Sequence, residues 1–375
     1  TFGVFAVGYL LAPIGALFFG YLGDHFGRKY ALTASILGMA ISTAIISVVP
    51  AYQTIGIVAP ILITLLRLIQ GFVASAEFTG SAIFLVEHAI PSKKAFYGCL
   101  TSSAYSAGLI IAGFVASVLT SSFMPSWGWR LGLAIALIAG ILIFYLRMHV
   151  AETPAYQKIP QHEKIPIPFL TALKEAPYTI IGIIGIAWLV SVMTFGTYVF
   201  AATYLNSYLH ISLNIATLII TLSLAVDAIL EPFIALLADQ IGLLKIIRIG
   251  MFAIFIFIVP IFLLLSTGNI TLVTLGMVLI SILIAITYAP LNAYMVLLFP
   301  YQYRYSGFGV AFNIGISLFG GTTPLVMMWL VHKTGNFISP AWYYMFGASV
   351  GLASLLICEY SRKKSMNLGL TLTMN

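Results

Sequence analysis

Eleven long apolar runs, divided by short charged loops, constrain this chain more than any other feature of it. They lie near 1–22, 31–49, 58–86, 97–120, 129–149, 178–205, 212–238, 246–266, 270–298, 305–331 and 340–360. A helix needs about 20 residues to cross the ~30 Å hydrocarbon core of a bilayer, and these runs supply that length. Hydrocarbon offers no partner to backbone N–H and C=O groups, so each run must close its hydrogen bonds within itself, as a helix does. Composition points the same way: 61% of residues are hydrophobic and only 7% charged, against roughly 25% charged in a soluble domain. The expected fold class is an all-α membrane protein.

Five runs precede the polar stretch AETPAYQKIPQHEKIPIPFLTALKEAP at 150–177, and six follow it. This divides the chain into an N-terminal helical bundle at 1–149, a cytoplasmic inter-domain loop at 150–177, and a C-terminal bundle with its tail at 178–375. All but three of the 17 Lys and Arg residues fall in alternate loops on one side; Arg130 and Lys333 lie on the other, and Arg67 lies within a run. Basic loops stay in the cytoplasm. That places 23–30, 87–96, 150–177, 239–246, 299–305 and the C-terminus there, as in a multi-pass protein of the bacterial inner membrane. Thr1 to Leu22 has neither a basic start nor a cleavage motif, so the chain is read as beginning inside a membrane helix.

The net charge of +7 is spread among these loops rather than gathered into one stripe, which argues against nucleic acid as a partner. Cys99 and Cys358 sit in separate halves without ligand spacing. The histidines fall in or near loops with no i,i+4 pair, so no metal or other cofactor is expected. No nucleophile-and-base constellation or nucleotide-binding loop marks an enzyme.

The loop GYLGDHFGRK, Gly20 to Lys29, has a weaker echo in ALLADQIGLLK, Ala235 to Lys245, so the halves read as parallel repeats. Two six-helix repeats would need one more helix ahead of Thr1. Gly20-x-x-x-Asp24-x-x-Gly27-Arg28-Lys29 resembles the signature of the major facilitator superfamily between its second and third helices, and Arg67-x-x-Gln70-Gly71 resembles its fourth-helix motif. RLIQGFVASAEFTGSAIFLVEHAIPSKKAFYG, WGWRLGLAIAL, YLRMHVAETPAYQK and FPYQYRYSGFGVAFNIGISLFGGTTP resemble the metabolite:proton symporters, the importers of proline and betaine, oxoglutarate, citrate and shikimate. Ala12-Pro13 stands where that group carries Arg-Pro, and Ser75-Ala76-Glu77 where it carries Gly-Gly-Glu. The resemblance implies the major facilitator fold, two six-helix pseudo-repeat bundles, with the second to sixth helices in the first half here.

Charge at the bilayer centre costs at least ~2.5–3.5 kcal/mol, so ionisable residues inside the runs are candidates for function. Arg67 shares a helix face with Gln70 and Gly71; it either engages a substrate carboxylate or is a structural arginine held by backbone carbonyls. Glu77 lies roughly 15 Å further along and about 80° around that helix, so its partner must come from another. A carboxylate buried without a partner takes up protons readily, which makes Glu77 a candidate for proton coupling. Asp227 and Glu231, one turn apart on one face, form a repelling pair that favours a shared proton or a bound cation, or else bonds across the bundle. Tyr198, Tyr204, Tyr288, Asn292 and Asn313 are uncharged polar groups in apolar runs, and Tyr198, Tyr288 and Asn313 are the preferred pocket lining. The resemblance implies gating by Gly20, Asp24 and Arg28, with Asp24 on a helix N-terminus and Arg28 paired to Glu87. The alternative is a solvated turn at Gly27.

The expected function is proton-coupled import of a small polar metabolite, an organic acid or a zwitterion, by alternating access around a midplane site. Partners are then the solute, protons and membrane lipid, with the protein acting as a monomer. Export of an amphiphilic compound, such as a drug or siderophore, and a transport-dead sensor or assembly partner are the rival readings.

Overall fold

The computed structural model describes residues 11–119, 121, 124–125, 127–160 and 165–367. The start of the first expected run, and His162 and Lys164 of the inter-domain loop, lie outside that set. The described structure is helical, with ten helices long and apolar enough to cross a membrane among the described residues. In chain order the main elements are α1 (Ala12–His25), α2 (Arg28–Val48), α3 (Val58–His88), α4 (Lys94–Leu119), α5 (Trp129–His149) and α6 (Pro168–Glu175). They continue with α7 (Pro177–Thr194), α8 (Leu213–Ile241), α9 (Leu243–Ser266), α10 (Ile270–Tyr288), α11 (Leu291–Leu297), α12 (Arg304–Phe319), α13 (Thr323–Thr334) and α14 (Pro340–Asn367).

Local chemistry sets these boundaries. Gly27 and Gly242 have φ of 110° and 112°, a region L side chains avoid, and they turn the chain from α1 into α2 and from α8 into α9. The two arms of the sequence echo therefore share one backbone conformation. Asn269 caps α10 by accepting from the N–H groups of Thr271 and Leu272. Gly335, in the left-handed region, closes α13.

Three runs are less regular than their apolar patterns imply. The run at 178–205 extends to Tyr208 through two π-helical segments, Phe195–Phe200 and Tyr204–Tyr208, features that often mark functional positions. The run at 270–298 breaks at Pro290 into α10 and α11, and the run at 305–331 breaks between Phe319 and Thr323. Pro232 lies inside α8 and has no N–H to give the carbonyl of Ala228.

The N-terminal helices pack as α2 against α3 and α5 and as α1 against α3; the later ones as α7 against α12 and α14 and as α9 against α10 and α14. Two long seams join the sets: α1 lies along α12, and α4 lies along α8. α7 is the most enclosed span, whereas α5 turns nearly all of its surface outward, with Ile135, Ile138, Ile141 and Leu142 exposed. An apolar helix exposed in this way is suited to lipid.

Close packing of α7 on α14 depends on Gly182 and Gly185, where an added Cβ would strike Cys358 and Ser354. Gly113 on α4 faces open space. Overpacking costs about 1–3 kcal/mol, so Gly185→Val should lower the thermal unfolding midpoint in detergent while Gly113→Ala leaves it unchanged. Equal midpoints for both variants would contradict this packing.

Candidate functional site

At the end of the molecule that carries the basic loops, helix termini of one half meet carboxylates of the other. Asp24, in the last turn of α1, accepts from the N–H of Tyr305 at 3.1 Å and of Ser306 at 2.9 Å, in the first turn of α12. Those N–H groups have no intrahelical acceptor, and the helix dipole favours an anion there. Gly20 and Gly23 bring the two helices this close, since a Cβ at either would collide with Ser306 or the Tyr305 ring.

Beside that contact lies a buried charge network. Arg28 donates to Glu87 at 3.2 Å, to the Gly23 carbonyl at 2.8 Å and, across the seam, to the Tyr301 carbonyl at 2.5 Å. Glu87 also accepts from Arg304 at 3.0 Å and from the Thr153 hydroxyl at 2.6 Å. Asp24, Arg28, Glu87 and Arg304 are all buried. Two guanidinium groups thus face two carboxylates, a balance that burial of charge demands. Glu152, from the polar stretch, accepts from the Lys29 N–H at 3.1 Å and so caps α2.

A second contact mirrors the first. Asp239 in α8 accepts from the N–H of Ala95 at 2.7 Å and of Phe96 at 3.0 Å, at the start of α4. Asp24 precedes Gly27, and Asp239 precedes Gly242, by the same spacing. Asp239 belongs to the echoed loop, but nothing in that loop's pattern signals that it reaches the opposite half.

Deeper along the α4/α8 seam, Glu231 accepts from the hydroxyls of Ser102 at 2.7 Å and Ser103 at 2.8 Å, and Asp227 from Ser106 at 3.0 Å. Both carboxylates are buried, and neither has a basic partner among the described residues. Asp227 Oδ1 and the hydroxyl of Tyr198 are enclosed beside one another in this region. Tyr288 shares a 2.7 Å hydrogen bond with Thr194, and Asn292 Nδ2 reaches the Gly98 carbonyl at 3.3 Å. Asp227, Glu231, Tyr198, Tyr288 and Asn292 therefore converge, and the three serines complete the cluster. Their i, i+1, i+4 spacing in an apolar run was the available signal.

The other expected residues lie elsewhere. Asn313 donates from α12 to the Ser75 carbonyl of α3 at 3.0 Å, beside a stacked Phe78–Phe312 pair. Tyr204 donates to the Phe337 carbonyl. Arg67 is exposed on α3 and donates to Gln70 at 3.1 Å, which in turn donates to Thr43. Neither joins the carboxylate cluster. Glu77 corrects the expectation of an unpartnered carboxylate: it pairs with Arg147 of α5 at 2.8 Å and accepts from Ser35. The last turn of α5 carries a long cationic side chain back to it, a contact that spacing within α3 could not reveal.

The Major Facilitator Superfamily model matches residues 1–315. A glycine betaine/proline/ectoine/pipecolic acid transporter of Dickeya dadantii (strain 3937) is 34% identical over 380 residues, covering 96% of this chain and 75% of its own. The proline/betaine transporter of Escherichia coli (strain K12) is 33% identical, covering 93% and 72%. Among solved structures, the proton:xylose symporter XylE bound to 6-bromo-6-deoxy-D-glucose superposes with a TM-score of 0.70 at 18% identity, over 94% of this chain and 84% of that one. FucP in the outward conformation gives 0.68 at 15% identity, over 96% and 88%. These two likenesses concern the fold.

Each Asp-to-helix contact is a charge-assisted pair of bonds, and bonds to charged groups are worth about 1.5–3 kcal/mol. Asp24→Asn and Asp239→Asn should each open the seams about tenfold more often, and the double variant more still. Cys99, buried in the α4/α8 seam, reports this in a Cys358→Ala background through its rate of maleimide alkylation. Rates equal to the parent in both variants would show that these contacts do not hold the seams closed.

Proposed function

Given that this chain belongs to the major facilitator superfamily, in its metabolite:proton symporter family, and is a multi-pass membrane transporter of small solutes, we propose that it imports a small zwitterion with protons by alternating access. The observation that carries the proposal is the Asp227–Glu231 pair, buried in an interhelical seam with no basic partner among the described residues. Two acids enclosed in that way need a proton or another cation to be tolerated. Positions in the seam also feel any movement of one half against the other.

Residues 1–149 and 178–375 act as the two rocking units, and 150–177 tethers them. The basic loops set the latched end in the cytoplasm of a bacterial inner membrane, with the C-terminus on the same side. The arrangement is then outward-facing: Asp24, Asp239 and the Arg28–Glu87–Arg304 network hold the cytoplasmic end shut, with Gly20 allowing the close approach. Protein and lipid meet along α5, and the protein works as a monomer.

The solutes named for the relatives, glycine betaine, proline, ectoine and pipecolic acid, all combine a carboxylate with a positively charged nitrogen centre. A solute of this class suits a site with separated cationic and anionic poles. Arg67, steadied by Gln70, supplies the pole for the carboxylate, and Tyr198, Tyr288 and Asn313 line the path. Glu77 is neutralised by Arg147, so the proton falls to Asp227 and Glu231.

Uptake of labelled glycine betaine and proline by proteoliposomes holding the full-length protein tests this. An imposed inward proton gradient should drive accumulation that a protonophore abolishes. Glu231→Gln and Asp227→Asn should each lower accumulation at least about fivefold, the lower bound of a typical coupling between sites. Uptake indifferent to the gradient would refute proton coupling, and uptake of neither solute would refute the substrate class.

A further inference from the structure

Ser102 has one hydroxyl proton and two acceptors within reach. Across the seam, Glu231 Oε2 lies at 2.7 Å; within its own helix, the Cys99 carbonyl lies at 3.0 Å. Ser103 adds a second bond to the same carboxylate oxygen at 2.8 Å. These bonds run from α4 to α8, so they exist only while that seam is closed. We propose that Ser102 and Ser103 are the residues that convert the protonation state of Glu231 into closure or release of the α4/α8 seam. The inference rests on the proton-coupled reading above and assigns it a mechanical step.

The direction follows from hydrogen-bond chemistry. An ionised carboxylate is acceptor-only, and bonds to it are charge-assisted. With Glu231 ionised, both serine hydroxyls point across the seam and hold it. A proton arriving from the outer side bonds to a Glu231 carboxylate oxygen and removes the charge that strengthens both bonds. Ser102 can then donate to the Cys99 carbonyl, an intrahelical bond that asks nothing of α8. The carboxylate loses its grip on α4 while the buried Ser102 hydroxyl keeps an acceptor in its own helix, so release does not strand that donor. For an importer this has the required sense, because proton binding from outside loosens the end that must open inward.

The surroundings leave few other groups to respond. From α4, Cys99 and Tyr105 face this region; from the π-helical segment after α7, Tyr198; from α10, Tyr288; and Asp227 lies one turn away on α8. Asn292 presents its neutral amide to Ser102 at 3.5 Å, and Asp239, two turns further along α8, is engaged by the N-terminus of α4. Ser106 holds Asp227 in the same fashion at 3.0 Å and extends the ladder one turn outward.

The test compares the wild-type protein, the Ser102→Ala/Ser103→Ala double variant and the Ser102→Thr/Ser103→Thr double variant in proteoliposomes. Two readouts are needed: accumulation driven by a proton gradient, and exchange of labelled for unlabelled glycine betaine without a gradient, each across pH. The alanine variant should lose at least about fivefold in accumulation, keep exchange, and show a flattened pH profile of exchange. The threonine variant, which keeps both hydroxyls, should restore accumulation and the profile. An alanine variant with wild-type accumulation and pH profile overturns the inference. So does loss of exchange and accumulation together in both variants, which would mark the serines as packing residues. Wild-type protein that exchanges solute but ignores the gradient would instead overturn the proton-coupled reading beneath it.

Discussion

Contact between a carboxylate of one half and the N-terminus of a helix in the other underlies the rest of this structure. Asp24 meets the first turn of α12 and Asp239 the first turn of α4, so each half supplies one anion and one helix end. Helix N-termini inside an apolar protein carry N–H groups that must find acceptors. Here those acceptors lie across the seam between the two halves. The closed arrangement therefore satisfies groups that opening would expose to water, an exchange that costs little net and so can be reversed. A purely apolar seam would lack that balance, because apolar surface exposed on opening has no compensating partner.

Charge is arranged differently in the two seams. Near the basic loops, Arg28 and Arg304 offset Asp24 and Glu87, so closure there brings no unpaired charge into the interior. Deeper in, Asp227 and Glu231 are met by serines and tyrosines, with no basic partner among the described residues. In the function proposed above, a proton settles the charge of that pair. There, the network near the basic loops is the clasp and the Asp227–Glu231 pair the element that responds.

Much of this was legible in the sequence, and what was not has identifiable causes. Apolar runs of spanning length gave the helices, and the Gly27 and Gly242 turns follow from the echoed loops. Pro290, and Pro324 just after the Gly320–Thr322 stretch, mark breaks in helices that hydropathy alone reads as continuous, because a hydropathy window does not see a missing N–H. The Arg28–Glu87 pair was readable from charge and position. Glu77 needs a partner from another helix, but which one is not readable, because Arg147 is 70 residues away in sequence. Asp239 and the α4 serines were overlooked for a related reason: small polar residues in an apolar run gain meaning only once the facing helix is known. Arg67 was legible as an intramembrane charge, yet its surroundings are an exposed helix face with Gln70 rather than the carboxylate cluster.

The central claim is that proton and solute together release the latched end. Spin labels at Phe26→Cys and Lys245→Cys, exposed positions on opposite halves at that end, allow the separation to be measured by double electron–electron resonance in a Cys-free background. The account predicts a single short distance at alkaline pH without solute, and a second, longer population when acid pH and glycine betaine are combined. One unchanged distance under every condition, or full opening at alkaline pH without solute, would contradict it.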